Sequence, residues 1–396
     1  MLELCNKVSS NNKYITLNYQ NKTAQEGSCI KQISIGLGHI CALLPTKEVK
    51  CWGKNTDGQL GDGTYISKSI PTYVCNSAEN CQEDRSKRLT GITQIVNGFH
   101  HTCALNETKE VYCWGENAYG NLGVGNTTKS NIPLKVNNLE DVITITSGWG
   151  ANCAILSNNT SKCWGRNQWG ALGNGTITNV LIPTFILNED DNSNFENIKE
   201  IKTTGQSTYL KTTDNNVYFF GSNSYGKFGD SNYGAINYYY PQLVNHSFEQ
   251  YSMYYHHTCS IDASNRTYCF GRNVFGQIGD GTTINTNIPL LVSGLNIQKI
   301  SVGGVHSCGI NSNEIYCWGD NTYGQLGNNT NTNSLFPLTV NINENIAELF
   351  TGYVNNCVVL NAGIVKCWGD NTYGQLGIDS TEVKLIPVEV NDALYN

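Results

Sequence analysis

Short apolar–polar alternations of about five residues follow one another along nearly the whole chain, each closed by Gly, Asn or Pro. ITQIV at 92–96, HTCAL at 101–105, VYCWG at 111–115 and IPLKV at 132–136 form one such set. Runs of this length and period predict β-strands, and the lack of a 3.6-residue apolar period excludes a helical solenoid. The set recurs. Trp52-Gly53, Trp114-Gly115, Trp164-Gly165, Phe220-Gly221, Phe270-Gly271, Trp318-Gly319 and Trp368-Gly369 stand 48 to 62 residues apart, and each opens a phrase such as WGDNTYGQLG at 318–327. A Pro-led strand follows every one, at Pro71, Pro133, Pro183, Pro241, Pro289, Pro337 and Pro387. We denote the strands A (Pro-led), B (as ITQIV), C (as HTCAL) and D (as VYCWG). Four short strands per repeat and seven repeats predict an all-β fold, a seven-bladed β-propeller of four-stranded blades.

The plan of the chain follows. Residues 1–30 lie outside the repeat and read as an N-terminal cap or extension, and 31–396 as a single propeller. The last element is a strand A, LIPVEV at 385–390. Pairing this C-terminal strand with the N-terminal blade is the expected closure, because it removes an open sheet edge. Repeat four departs most: TTGQSTYL replaces Gly-x-x-His-x-Cys, and Phe219-Phe220 replaces Cys-Trp, which predicts a degenerate but closed blade.

Twelve of the sixteen Cys recur in pairs, one on strand C and one on strand D: Cys41-Cys51, Cys103-Cys113, Cys153-Cys163, Cys259-Cys269, Cys308-Cys317 and Cys357-Cys367. A hairpin of that spacing sets the two side by side within disulfide reach. Repeat four has Tyr209 and Phe219 at the two places, so both members vanish together. The remaining four are expected to pair as Cys75-Cys81, in an inserted loop, and Cys5-Cys29, by elimination. No Cys-x-x-Cys spacing is present, so no metal is expected. Disulfides on this scale predict an oxidising compartment: extracellular, cell-surface or lumenal. MLELCNKVSS at the N-terminus carries no secretory apolar run. Nine Asn-x-Ser/Thr sequons make glycosylation feasible, but an Asn-rich chain yields about that many by chance.

These phrases resemble the repeats of the regulator of chromosome condensation family. The matching residues in the second repeat are Gly98 and His101, then Val111, Trp114, Gly115, Asn117, Gly120, Leu122 and Gly123, and the resemblance covers 31–390. It implies a seven-bladed propeller with strand-swapped closure. It does not fix a function, since members range from a guanine-nucleotide exchange factor to secreted enzyme inhibitors, receptor ectodomains and adaptors.

Strand parity places the B–C and D–A loops on one face and the C–D and A–B loops on the other. The B–C gaps read Leu37-Gly38, Phe99-His100, Trp149-Gly150, Gln206-Ser207, Tyr255-His256, Gly304-Val305 and Tyr353-Val354. They vary and carry large aromatics, the usual anchors of a protein interface. The D–A loops add Tyr119, Trp169, Tyr225, Phe275, Tyr323 and Tyr373, which read either as part of an aromatic ring on that face or as packing between blades. Tyr238–Tyr240 and Tyr254-Tyr255 are expected mostly on strands. On the opposite face, insertions at 75–88 and 188–197 read as solvated decoration; Asp190 and Asp191 lack the spacing of a calcium loop.

Charged residues are only 14% of the chain, the net charge is −7, and no 18-residue apolar run exists. Nucleic-acid binding and membrane insertion are therefore not expected. No nucleophile-elbow, P-loop, zinc-protease or dinucleotide fingerprint is present, so the chain reads as no enzyme, with no cofactor. His39, His101, His257 and His306 share one repeat position and are spread around the ring, which suits structural hydrogen bonds. The expected function is a monomeric, non-catalytic propeller that binds a protein partner through its aromatic face. One alternative is an exchange-factor-like regulator of a small GTPase. In the family's exchange factor, acidic residues in these gaps act on the nucleotide, and none of the seven gaps here holds Asp or Glu. The other is a carbohydrate-binding propeller using Trp149 and Trp169 as stacking platforms.

Overall fold

The structure, a computed structural model, describes residues 30–232, 236–246 and 248–395. The expected pair Cys5-Cys29, the sequon at Asn21 and nearly all of the 1–30 extension lie outside the described residues. The alternating runs form 28 strands in seven antiparallel four-stranded sheets. Blade 1 holds β1 (Gln32–Ile35), β2 (His39–Leu43), β3 (Val49–Gly53) and β4 (Lys68–Tyr73), which are B, C, D and A in that order. Blades 2 to 6 hold β5 to β24, and blade 7 holds β25 (Ile346–Thr351), β26 (Asn355–Leu360), β27 (Val365–Gly369) and β28 (Lys384–Glu389). B strands of neighbouring blades touch each other around the ring, so B is innermost and A outermost. The outer strands carry the prolines, which suits an edge that must not pair further.

The expected closure by strand exchange is not what the structure has. β28 pairs with β27 in its own blade, and β4 completes blade 1. The blade unit is B-C-D-A, and the described residues, running from a B strand to an A strand, make seven whole blades with no described strand left to exchange. The ring instead closes with the junction it uses elsewhere. The indole of Trp52 in blade 1 donates to the Gln375 carbonyl of blade 7 at 2.9 Å. Trp114, Trp164, Trp318 and Trp368 do the same to the preceding blade at 2.9–3.0 Å. The Asp379 N–H reaches the Ser69 carbonyl at 3.0 Å, as Gly63 reaches Asn131 between blades 1 and 2. Ile33, Ile40 and Trp52 share one buried core with Val365, Leu376 and Val390 across the same seam.

The repeated Asn explains how each long D–A loop keeps its shape. Asn321 is fully buried; its Oδ1 accepts the Leu326 N–H at 2.9 Å, and its Nδ2 donates to Asn328 and to the Thr330 and Thr332 carbonyls. Asn55, Asn117, Asn167, Asn223, Asn273 and Asn371 bind the equivalent N–H at 2.8–3.0 Å. The acceptor seven residues after this Asn is Asp62, Asp230 or Asp280 in some blades and Asn174 or Asn328 in others, whereas blade 2 uses Asn126, nine residues on. Two of the sequons thus coincide with a structural turn position.

Seven cysteine pairs lie at bonding distance, 2.04–2.13 Å between sulfurs: the six C–D pairs and Cys75-Cys81. Each C–D pair is directly opposed in register, as Cys103 is to Cys113. In blade 4 the Tyr209 and Phe219 rings fill that place with centroids 5.9 Å apart. The four repeated histidines are buried and reach into the next blade, as His101 Nε2 does to Asn152 Oδ1 at 2.8 Å. Burial holds His101 and His306 near pKa 4 and His257 near 3, so they are neutral at pH 7.

Candidate functional site

Each B–C loop sits at the end of an innermost strand, so the seven loop tips surround one mouth of the central channel. Four blades send aromatics into it. Phe99 of blade 2 stacks on Trp149 of blade 3, with centroids 5.7 Å apart. It also meets Tyr254 and Tyr255 of blade 5 at 6.1 Å and Tyr353 of blade 7 at 6.2 Å. Blades 2 and 5 are not neighbours, so these contacts cross the axis and the rings plug the mouth. Tyr255 closes the circuit, 5.3 Å from Trp149 and 6.5 Å from Tyr353. Phe99 is buried beneath the others, whereas Trp149, Tyr254, Tyr255 and Tyr353 are half-buried and present area outward. Gly304 makes room for one ring, since a Cβ there would lie 2.2 Å from Tyr353.

Two local readings of the sequence change. Ser207 opens a strand and pairs with Gly221, so the gap of blade 4 is Gly205-Gln206 rather than Gln206-Ser207. Gly205 takes φ +87 there, and a Cβ would meet the Trp149 backbone N at 2.1 Å. Tyr254 and Tyr255 lie beyond the end of their strand at Met253 and belong to the mouth, while Tyr238–Tyr240 do fall on a strand.

The remaining candidates are distributed around this plug. Trp169 stacks on Trp149 at 5.5 Å. Tyr225 meets His256 edge-on at 5.0 Å, and His256 meets Tyr255 at 4.1 Å. Tyr373 lies beside Gly38 and under Lys54 of the next blade. Tyr119 lies under Arg166 and Tyr225 under Arg272, likewise of the next blade, while Phe275 lies beside Arg272 of its own loop. Tyr119, Tyr225 and Tyr373 therefore bridge blades at the rim, and Trp169 and Tyr225 extend the central cluster. Tyr225, Tyr323 and Tyr373 are exposed, Leu37 and His100 half-buried, and Gln206 buried.

Two cations on this face did not stand out in the sequence. The Arg166 guanidinium lies 3.8 Å from the Trp149 centroid, 4.5 Å from Trp169 and 4.6 Å from Tyr119. Lys227 is fully buried beneath the mouth and donates to the Tyr255 carbonyl at 2.9 Å. Burial lowers it to a pKa of about 7. A signal was available: the other blades place Gln59, Asn121, Ala171, Gln277, Gln325 and Gln375 at that position, all neutral. Of the acids on this face, Asp57 stands near His100 and pairs with Lys129 of the next blade at 3.5 Å, and three others are engaged within their own loops. Asp320 and Asp370 accept from Gln325 and Gln375 at 2.5 and 2.6 Å, and Glu116 accepts from Asn121 at 2.8 Å. Burial also holds His100 near 4 and His256 near 3. Among the described residues, no group of three or more His, Cys, Asp or Glu is placed to hold a metal ion. The mouth is thus aromatic and cationic beneath, and its seven B–C gaps hold no carboxylate.

On the opposite face, the 75–88 insertion is ordered against the blade. Arg85 and Arg88 reach the buried Glu48 carboxylate at 3.1 and 3.6 Å, and Gln82 bonds both backbone groups of Tyr73. The 188–197 insertion is held by its own turns, with Asp191 capping the Ser193 N–H.

Known proteins share this architecture. The family model of the RCC1-like domain matches residues 8–353, and models of the regulator of chromosome condensation (RCC1) repeat match 346–375 and 363–394. The ultraviolet-B receptor UVR8 of Arabidopsis thaliana is 30% identical over 293 residues, 73% of this chain and 63% of that protein. The human E3 ubiquitin-protein ligase HERC2 is 26% identical over 294 residues, which are 72% of this chain but 6% of the ligase. Among solved structures, yeast RCC1 (Prp20) bound to Kap60 superposes with a TM-score of 0.72 at 17% identity, covering 96% of this chain and 91% of that one. At that identity the likeness is one of fold.

Proposed function

The chain belongs to the family of RCC1-like domains, and from that premise we propose that it is a non-catalytic propeller that binds a protein partner on its aromatic mouth, in an oxidising compartment. The observation that carries this reading is the cross-axis cluster of Phe99, Trp149, Tyr254, Tyr255 and Tyr353, drawn from four blades. A rigid group of half-buried Trp and Tyr rings offers a large contact area at small entropic cost, as interface hot spots do. Family membership supports engagement of a protein, and yeast RCC1 is itself seen bound to one, Kap60. The paired cysteines support the compartment.

The carbohydrate alternative finds less support, because Trp149 is already stacked by Phe99, Trp169 and Arg166 and has little free ring to offer a sugar. The exchange-factor alternative needs acids in the B–C gaps, and none of the seven holds Asp or Glu. The test is a photo-crosslinking amino acid placed at Tyr353, with a control at exposed Asn158 on the opposite face, in the cells that make the protein. Crosslinks to one protein from position 353 but not 158 support the reading. Crosslinks from 158 alone, or a glycan as the crosslinked species, contradict it.

A further inference from the structure

Arg166 is only 7% exposed, and its Nη1 has no hydrogen-bond partner. Its Nε and Nη2 both donate to one acceptor, Gln168 Oε1, at 3.1 and 2.7 Å. That fork is the geometry in which a guanidinium receives a carboxylate, yet a neutral amide occupies it. The contrast with the opposite face is sharp: Arg85 and Arg88 reach Glu48, and Arg266 reaches Asp262 at 2.7 Å. Among the described residues Arg166 is in no ion pair, and Glu116, which stands near it, gives its carboxylate to Asn121. Arg272 occupies the same repeat position two blades on. It too is in no ion pair among the described residues, and its Nε is buried without a partner. A guanidinium removed from water without a directly paired carboxylate is costly, and a carboxylate arriving in its fork relieves that cost.

We propose that Arg166 is the seat for a carboxylate from an acidic, aromatic-flanked segment of the protein partner, and that the exposed Gln168 amide stands in for that carboxylate in the free protein. Arg272 offers a second positive seat on the same rim. The inference rests on the proposed protein-binding mouth and adds the chemistry of what enters it. Gln168 has only to rotate away, because the Arg166 side chain is already held among Tyr119, Trp149 and Trp169.

The test uses a fluorescein-labelled peptide, Tyr-Glu-Glu-Tyr-Glu-Glu, and its counterpart with Gln for each Glu, titrated against the whole protein. The Glu peptide is expected to bind at least about tenfold more tightly, an advantage of about 1.4 kcal/mol, and to weaken with added salt. Arg166→Gln removes the advantage. Gln168→Glu fills the fork from within, so it also removes the advantage while raising the melting temperature. Circular dichroism confirms that each variant is folded. Equal affinity for the two peptides, no binding of either at about 1 mM, or an advantage that survives Arg166→Gln overturns the proposal. Self-association of the protein that depends on Arg166, without peptide binding, assigns the seat to a second copy and overturns it too. If the crosslink from position 353 persists in Arg166→Gln, the protein-binding mouth stands and the acid seat alone falls.

Discussion

Lys227 sits where six other blades place Gln, Asn or Ala, with its side chain wholly out of water and one carbonyl, that of Tyr255, to receive its proton. An unfolded lysine titrates near 10.5, and burial brings this one to about 7. Between those values the unfolded chain holds a proton that the native protein lacks, so stability rises with pH from 7 to 10.5. Lys227→Gln, the residue of blades 1, 5, 6 and 7, removes that dependence. It is expected to stabilise the protein at pH 7 by about 1–3 kcal/mol, with the gain shrinking towards pH 10, as urea melts at the two pH values will show. The sequence exposed the oddity of this position only by comparison between repeats. It gave no sign that Arg166 lies among three rings with no ion pair among the described residues, because that depends on where a neighbouring blade sends Tyr119 and where Trp149 folds over it. The aromatic gaps were visible one by one. Their meeting across the axis was not, since repeat spacing fixes the angle of each blade around the ring but not how far a side chain reaches inward.

At the scale of the element, what the pattern made plain was the four-stranded unit, because alternation, turn residues and paired cysteines all agree within each repeat. What it misplaced were two loop ends. The motif alignment makes Gly205 its fixed glycine, whereas the pairing of Ser207 with Gly221 makes it the first residue of the gap. Tyr254, expected on a strand, lies beyond the end of the inner strand at Met253. The D–A loop has its own determinant. Asn321 binds one N–H and several acceptors with no water to replace them. Asn321→Ala is expected to cost about 2–4 kcal/mol, and Asn321→Asp less, because it keeps the acceptor for Leu326. Denaturant midpoints of the two variants check the order, and equal losses would mean that the donor side of the amide dominates.

For the whole molecule, the in-phase blade order makes a prediction that strand exchange would not. Deleting 380–396 removes β28 and opens the edge of β27, so amide exchange should accelerate at Val365–Gly369 while β3, Val49–Gly53, keeps its partner β4. Acceleration confined to blade 1 would restore the exchanged closure. Ring closure by ordinary junctions also places weight on staples inside each blade. Each C–D disulfide closes a loop of about ten residues and adds about 2–3 kcal/mol, in every blade but the fourth. Bonds of this number are the mark of oxidising surroundings, which is the basis of the compartment proposed above. The most direct measurement is therefore a free-thiol count on protein taken from its natural source without reductant, by alkylation and intact mass. The account predicts that the fourteen cysteines of the seven described pairs are all blocked to alkylation. Sixteen reactive thiols would contradict it and move the search for a partner inside the cell.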